Sequence, residues 1–204
     1  MVPDNQMMHV VLPTELWLQI FEQSWFLSRD YLWTTVRVVS HRYKDVVERI
    51  FVSTYLPGFA ISLSLPRYNS ESGALAWPVA VNNTSIVMAF DSISSDREHA
   101  LFISPCTVTV GTAPRSMEDL RKQNIMPLKR LQDAPAWVYT NKNYGGGISL
   151  KIPRHIDWDA ERELWGWKVE WRTLVSNFYR AKEAARYKPR FVASGKNGLR
   201  GVRG

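Results

Sequence analysis

The side chains best suited to catalysis or metal binding are scattered along this chain. Its histidines (His9, His41, His99 and His155) have no metal-ligand spacing among them, and Cys106 is the single cysteine. A cysteine nucleophile needs a partner base, and no such base can be identified from the sequence. A free cysteine is more often a buried structural thiol, which is the interpretation we favour for Cys106. We therefore predict no catalytic, metal-binding or cofactor-binding residues, and a protein that is not an enzyme.

Three further patterns could carry chemistry, but each has a simpler interpretation. The glycines at 145–147 lead into the strand-like run ISLKI rather than a helix, so a hairpin turn is favoured over a phosphate-binding loop. The carboxylates of DWDAERE (157–163) could bind a divalent ion, but they are also typical of a helix N-terminus. Tryptophans at 165, 167 and 171 could stack on bases or sugars, but their spacing favours a helix packed on a sheet.

The positive charge is concentrated at the C-terminus. The chain of 204 residues has a net charge of +7, and the stretch from Arg180 to Gly204 accounts for all of it with eight basic residues and one acidic residue. A folded nucleic-acid-binding surface would place the excess on the body of the protein. Nucleic acid is therefore not favoured as a partner, although a basic tail could bind nucleic acid or an acidic membrane surface.

Cysteine content and hydropathy indicate the compartment. A single cysteine excludes an internal disulfide framework, and a reducing environment suits such a chain. The N-terminus lacks the pattern of a secretory signal, and no stretch has the roughly 18 apolar residues needed to span a bilayer. We expect a soluble intracellular protein, cytoplasmic or nuclear, that has no membrane partner.

The first 55 residues have helical periodicity. Thr14 is placed to cap a helix that opens at Glu15, and Ser28 or Asp30 to cap a second helix. The apolar face of the first helix comprises Leu16, Leu18, Ile20, Phe21 and Trp25. A second helical tract runs from about residue 31 to 55 and ends at Pro57-Gly58. A unit of this size is too small to be stable alone, so it should pack on the rest of the chain or on a partner.

Residues after Pro57 have the period of β-strands, followed by one long helix. Strand candidates are FAISLSL (59–65), SIVMAF (85–90), ALFIS (100–104), TVTV (107–110), AWVYT (136–140) and ISLKI (148–152), and a short helix ended by Pro127 is expected within 116–130. Apolar residues at 164, 167, 171, 174 and 178 predict a long helix from Asp157 to about Tyr187. The expected fold is α+β, with an N-terminal helical module (1–56), a mainly antiparallel β region with a long C-terminal helix (57–188) and a disordered basic tail (189–204).

The N-terminal module resembles an F-box. The order of residues is Leu12-Pro13-Thr14-Glu15-Leu16, then Ile20-Phe21, then Asp30 with Leu32, then Val39-Ser40-His41-Arg42-Tyr43 and Val46-Val47. The following stretch, up to the first strand, is also similar to a group of short fungal F-box-like proteins that carry no WD40 or leucine-rich repeats. The spacing between Ile20 and Val39 is several residues longer than the usual pattern, and the extra length falls at WFLSRDY.

The resemblance implies a three-helix module that docks on a Skp-type adaptor and so joins a cullin scaffold in a ubiquitin ligase. The residues it assigns to adaptor binding are Leu12, Pro13, Leu16, Ile20, Phe21, Leu32 and Val39. The region after Gly58 would then recruit a protein target of unknown identity for ubiquitylation. Two alternatives stay open, namely an interaction module that binds no adaptor and a nucleic-acid-binding protein that uses its basic tail.

Overall fold

A computed structural model describes residues 12–24, 27–65, 85–110, 113–140 and 147–187 of the chain. Helix α1 spans Thr14–Gln23, and Pro13 occupies the position before it with φ −56°. Proline suits this position because it has no N–H to satisfy there. The predicted cap at Thr14 is wrong, since Thr14 is itself the first helical residue. Trp25 and Phe26, which belong to the lengthened WFLSRDY stretch, lie outside the described residues.

The predicted second tract is helical, but it divides into two helices at Ser40. Helix α2 covers residues 29–39, with α-helical turns at Arg29–Tyr31 and Arg37–Val39 on either side of a π-helical segment, Leu32–Val36. The Ser28 hydroxyl caps it by accepting a hydrogen bond from the Tyr31 N–H (3.4 Å). Ser40 is extended, and its hydroxyl accepts from the Tyr43 N–H (3.2 Å), so it ends one helix and caps the next.

Helix α3 begins after Ser40 and leads to the sheet. It comprises His41–Ile50, a π-helical segment Phe51–Tyr55 and a final 3-10 turn Leu56–Gly58. The buried residues of this helix, which include Val46, Val47, Ile50 and Phe51, belong to the main hydrophobic core. The helical module is therefore packed on the rest of the chain, as its small size requires.

A seven-stranded antiparallel sheet forms the centre of the fold, in the order β7-β6-β1-β2-β3-β9-β8. Its strands are β1 (Ala60–Ser64), β2 (Ser85–Ile93), β3 (His99–Ile103), β6 (Ala136–Tyr139), β7 (Ile148–Ser149), β8 (His155–Asp159) and β9 (Leu164–Glu170), while β4 (Thr107–Val110) and β5 (Ala113–Ser116) form a separate hairpin. The predicted α+β class with a mainly antiparallel sheet is confirmed. The predicted pairing of AWVYT with ISLKI is also present, as β6 and β7; most of its glycine connector, residues 141–146, lies outside the described residues.

One face of this sheet carries the core. Ile61 of β1 faces Met88 of β2, and Leu63 faces Ile86, and all four side chains are buried. On the other face Ala89 is exposed, but its partner Ala60 and the nearby Ser62 are buried, so the central strand β1 is covered on both faces. The side chains of Ile61, Leu63, Ile86 and Met88 share one hydrophobic core with buried residues of the helices.

The chain between Asp157 and Glu170 corrects the prediction of one long C-terminal helix. It forms the hairpin of β8 and β9, and helix α6 spans only Trp171–Arg186. Trp165, Trp167 and Val169 alternate into the core with the strand period, and Trp167 and Trp171 also satisfy the helical spacing that misled the prediction. The carboxylates of DWDAERE therefore lie in a strand and a turn, and not at a helix N-terminus.

Two short helices lie between β5 and β6. Helix α4 (Met117–Lys122) is capped by the Ser116 hydroxyl, which accepts from the Asp119 N–H (3.0 Å). This is the short helix predicted within 116–130. Pro127 lies directly before a second helix, α5 (Leu128–Asp133). The proline therefore follows α4 and marks the start of α5. The residues of the predicted basic tail lie outside the described part of the chain.

Candidate functional site

The adaptor-binding residues predicted on the Leu-Pro segment and α1 are partly accessible to solvent. Leu16 is 41% exposed and Ile20 is 43% exposed, and Pro13 is exposed while Leu12 is half-buried. Leu16 and Ile20 are four residues apart, so they lie on one face of α1. Large apolar side chains that remain exposed on one helix face are candidates for a contact with another protein.

Phe21 and Leu32, which the resemblance also assigned to adaptor binding, are part of the core. Phe21 is buried, and its ring lies 5.6 Å from that of Trp17 and 5.8 Å from that of Tyr43. Leu32 is fully buried in the first π-helical segment. These two side chains support the module from inside, and neither offers a surface to a partner in this structure.

The C-terminal end of α2 adds a second exposed apolar pair. Val39 is 65% exposed, as an adaptor-binding role requires, and its neighbour Val38 is 70% exposed. Val38 is not among the adaptor-binding residues predicted from the sequence. Two consecutive valines are not a sufficient signal, because Val46 and Val47 of α3 are also consecutive and both are buried. We use the name docking face for these two exposed pairs, Leu16 with Ile20 on α1 and Val38 with Val39 on α2.

An aromatic cluster fixes α1 on α3. The Trp17 ring packs edge-on against the Tyr43 ring with centroids 5.0 Å apart, and Phe21 completes the cluster. Such pairs contribute about 0.5–1.5 kcal/mol each beyond their buried area. Because Trp17 and Phe21 turn towards α3, the preceding residues Leu16 and Ile20 are left on the outer side of the helix.

Trp33 joins the helical module to the C-terminal helix. Its ring lies 4.5 Å from that of Phe51 and 5.7 Å from that of Trp171. The indole N–H donates a hydrogen bond to the Ser176 hydroxyl (3.1 Å), which itself donates to the Arg172 carbonyl (2.7 Å). A buried indole needs such an acceptor, so this contact sets the position of α2 relative to α6.

A clustered ion pair reinforces the same junction. Glu48 of α3 accepts from Arg37 of α2 through Oε1, at 2.9 Å from Nε and 2.7 Å from Nη2. Its second oxygen, Oε2, accepts from Nε of Arg172 on α6 (2.8 Å). The Glu48 side chain is only 10% exposed, and both arginines also stack on tryptophan rings. One carboxylate thus connects three helices, and we call this group the Glu48 cluster.

Within the part of the chain that the structure describes, groups with catalytic potential do not converge on one place. Cys106 is exposed, so its predicted burial is wrong. Nδ1 of His99 is hydrogen-bonded to the Asp96 carboxylate at 2.9 Å. Hydrogen bonds from the Ser94 hydroxyl and from the Glu98 N–H hold the pKa of this carboxyl far below its ordinary value. Within the described residues, no three His, Cys, Asp or Glu side chains are grouped so that they could hold a metal ion.

Among the residues that the structure describes, no helix combines the length and the apolar character needed to cross a bilayer. Comparison with protein-family models, with curated proteins and with solved structures finds no match to this chain. The function proposed below therefore rests on the residues of this chain and on the contacts they make.

Proposed function

We propose that this protein is an F-box-like substrate-recruiting subunit of a cullin-RING ubiquitin ligase. In this proposal the N-terminal helices dock on a Skp-type adaptor, and the region after Gly58 binds the protein to be ubiquitylated. The catalytic steps belong to other subunits, and this chain is not an enzyme. The observation that carries the proposal is the docking face (Leu16, Ile20, Val38 and Val39), which lies in the segment that resembles an F-box.

The exposure of α1 favours docking over the simplest alternative. If the N-terminal helices were only structural, Leu16 and Ile20 should be buried against the β region, but both remain more than two-fifths exposed. Their helix is held by Trp17 and Phe21 on its other side. Since α1 is already anchored, its outer apolar residues are available to a partner without any unfolding of the module.

The exposures divide the proposed adaptor-binding residues into two groups. Pro13, Leu16, Ile20 and Val39 are expected to contact the adaptor directly, with half-buried Leu12 at the border of the contact. Phe21 and Leu32 are expected to act indirectly by keeping α1 and α2 in place. A substitution at either of them should therefore lower the stability of the protein as well as its adaptor binding.

Co-purification with a Skp-type adaptor tests the proposal. The full chain and the adaptor are co-expressed and analysed by size-exclusion chromatography, and affinity is measured by calorimetry. We expect the wild-type protein to co-elute with the adaptor, and the double substitution Leu16→Asp/Ile20→Asp to weaken binding by at least about a hundredfold. Each buried contact residue that carries binding energy is worth more than about 1 kcal/mol, and burying two new carboxylates adds a further penalty.

A matched control separates docking from general effects of added charge. Gln132→Asp/Ser149→Asp introduces the same two charges at exposed positions on α5 and β7, and it should leave co-elution and affinity unchanged. Val38→Asp/Val39→Asp tests the second half of the docking face. The proposal fails if the wild-type protein does not co-elute, or if both docking-face variants bind the adaptor as tightly as the control does.

A further inference from the structure

A groove lies between the helical module and the sheet, next to the β2–β3 turn. Its volume is about 1160 Å³, and its lining includes Leu18, Arg42, Arg49, Val52, Ile93 and Arg97. We call it the Arg97 groove. Leu18, Val52 and Ile93 are half-buried, so they offer apolar surface to a ligand while they also contact the core.

Some charged side chains that line this groove form ion pairs, and others do not. Of its cations, Arg172 is held by Glu48, whereas Arg42, Arg49 and Arg97 form no ion pair with any residue that the structure describes. Glu22 and Asp45 are exposed carboxylates of the same lining. The lining holds four arginines and three carboxylates, and the three arginines without an ion pair outnumber the two carboxylates without one among the described residues, which favours an anionic ligand.

Arg97 occupies a backbone conformation that favours glycine. Its φ is 56°, in the left-handed region that costs an L-residue free energy. The Arg97 N–H donates to the Ser94 carbonyl (2.9 Å), so the residue closes the turn between β2 and β3. For folding alone, a glycine would be more favourable at this position. The turn therefore gives no reason for an arginine side chain here.

The carbonyl of Arg97 is fixed by the C-terminal helix. It accepts hydrogen bonds from the Trp171 indole N–H (3.0 Å) and from Nη1 of Arg172 (3.3 Å). These two donors connect the turn to the same α6 residues that adjoin the Glu48 cluster. The backbone of Arg97, a residue that lines the groove, is consequently held in place, and a fixed backbone lowers the entropic cost of binding a ligand there.

We propose that the Arg97 groove binds an acidic peptide segment in which anionic oxygens lie beside an apolar side chain. Carboxylate and phosphate groups both match the paired N–H donors of arginine, and either could supply the oxygens. The apolar side chain packs on Leu18, Val52 and Ile93. This inference concerns a surface other than the docking face, and under the proposed function its ligand is the target segment.

Peptide titration of the full-length protein tests the assignment. The probes are three blocked hexapeptides, namely Leu-Glu-Glu-Leu-Glu-Glu, its glutamine counterpart and its phosphoserine counterpart, observed through the arginine side-chain Nε–H signals of ¹⁵N-labelled protein. We expect the glutamate peptide, the phosphoserine peptide or both to shift these signals, and the glutamine peptide to leave them unchanged. Whichever charged peptide binds more tightly identifies the source of the anionic oxygens.

Substitution of Arg97 separates binding from folding. Arg97→Gly should weaken binding of the charged peptide by at least about tenfold, as the loss of one charge-assisted pair does, while the thermal midpoint stays the same or rises. Glu163→Gly is the matched control, because Glu163 also has a left-handed φ (55°) and does not line the groove. It should leave peptide affinity unchanged.

Three results would overturn the assignment: no binding at millimolar peptide, equal binding of charged and neutral peptides, or wild-type affinity in Arg97→Gly. Adaptor binding provides an independent readout, because Arg97→Gly leaves the docking face intact and should co-elute with the adaptor as the wild type does. Failure of the groove and failure of the proposed function are therefore distinguishable in the same set of proteins.

Discussion

The Glu48 cluster offers the sharpest test of how the helical module is held. Glu48→Ala removes an acceptor that receives two hydrogen bonds from Arg37 and one from Arg172. The side chains of those arginines are 19% and 34% exposed, so the substitution leaves two incompletely hydrated cations close together. Their mutual repulsion adds to the loss of the hydrogen bonds.

The expected cost lies between the values for buried and exposed pairs. Removing one partner of a fully buried pair costs about 3–5 kcal/mol, and an exposed pair contributes about 0–1 kcal/mol. The Glu48 carboxylate is almost as buried as in a fully buried pair. Both arginines, however, remain partly exposed to solvent and retain their contacts with tryptophan rings. We therefore expect Glu48→Ala to lower the free energy of unfolding by about 2–4 kcal/mol, which corresponds to a fall in the thermal midpoint of roughly 4–16 °C for a domain of this size.

Urea unfolding followed by tryptophan fluorescence measures this difference. Asp45→Ala is a suitable control, because it removes an exposed carboxylate from the same helix and should change stability by less than about 0.5 kcal/mol. Double-mutant cycles with Arg37→Met and Arg172→Met should each give a coupling energy of about 0.5–3 kcal/mol. A Glu48→Ala protein as stable as the control would refute the argument that this carboxylate connects the three helices.

Three further predictions follow from individual contacts. Trp33→Ala removes the ring contact with Trp171, so urea unfolding should show a loss of about 3–5 kcal/mol; a loss below about 1 kcal/mol would contradict the role of this ring. Glu163→Gly relieves a φ of 55°, and calorimetry should show an unchanged or raised thermal midpoint. Hydrogen bonds from Arg162 lower the pKa of the Asp91 carboxyl, so this pair stabilises the fold above the unfolded pKa of about 3.9 and stops doing so as pH falls through the folded pKa. The urea midpoint should accordingly fall less on acidification in Asp91→Asn than in the wild type, and equal slopes would contradict this prediction.

Elements with one clear period could be predicted from the sequence. In α1, Trp17 and Phe21 break the alternation of Leu16, Leu18 and Ile20, whereas FAISLSL has an apolar residue at every second position. Both therefore have the predicted structure, as α1 and β1. The β8–β9 hairpin could not be predicted in this way, because Leu164, Trp167 and Trp171 fit a helical stripe as well as a strand followed by a helix. Pairing of β9 with β3 decides between the two.

The candidate site shows the same division. The order of residues from Leu12 to Val47 led to the N-terminal helices as the candidate surface, but it could not separate exposed from buried members. Leu16 and Phe21 belong to one apolar face in the sequence, and only the contact of Trp17 and Phe21 with Tyr43 leaves Leu16 on the outside. No sequence pattern distinguishes Arg97 from other arginines. Its left-handed φ and the hydrogen bond that its carbonyl accepts from α6 are visible only in the structure.

By itself, the sequence determined the α+β class, the helical N-terminus and the strand segments with unambiguous alternation, because local periodicity is a property of neighbouring residues. Only the tertiary structure decided the sheet order, the change from β9 to α6 at Trp171, the exposure of Leu16, Ile20 and Val39, and the junction at Glu48. Each of these depends on residues far apart in the chain. Arg37, Glu48 and Arg172 become one cluster only after α6 has packed on the helical module.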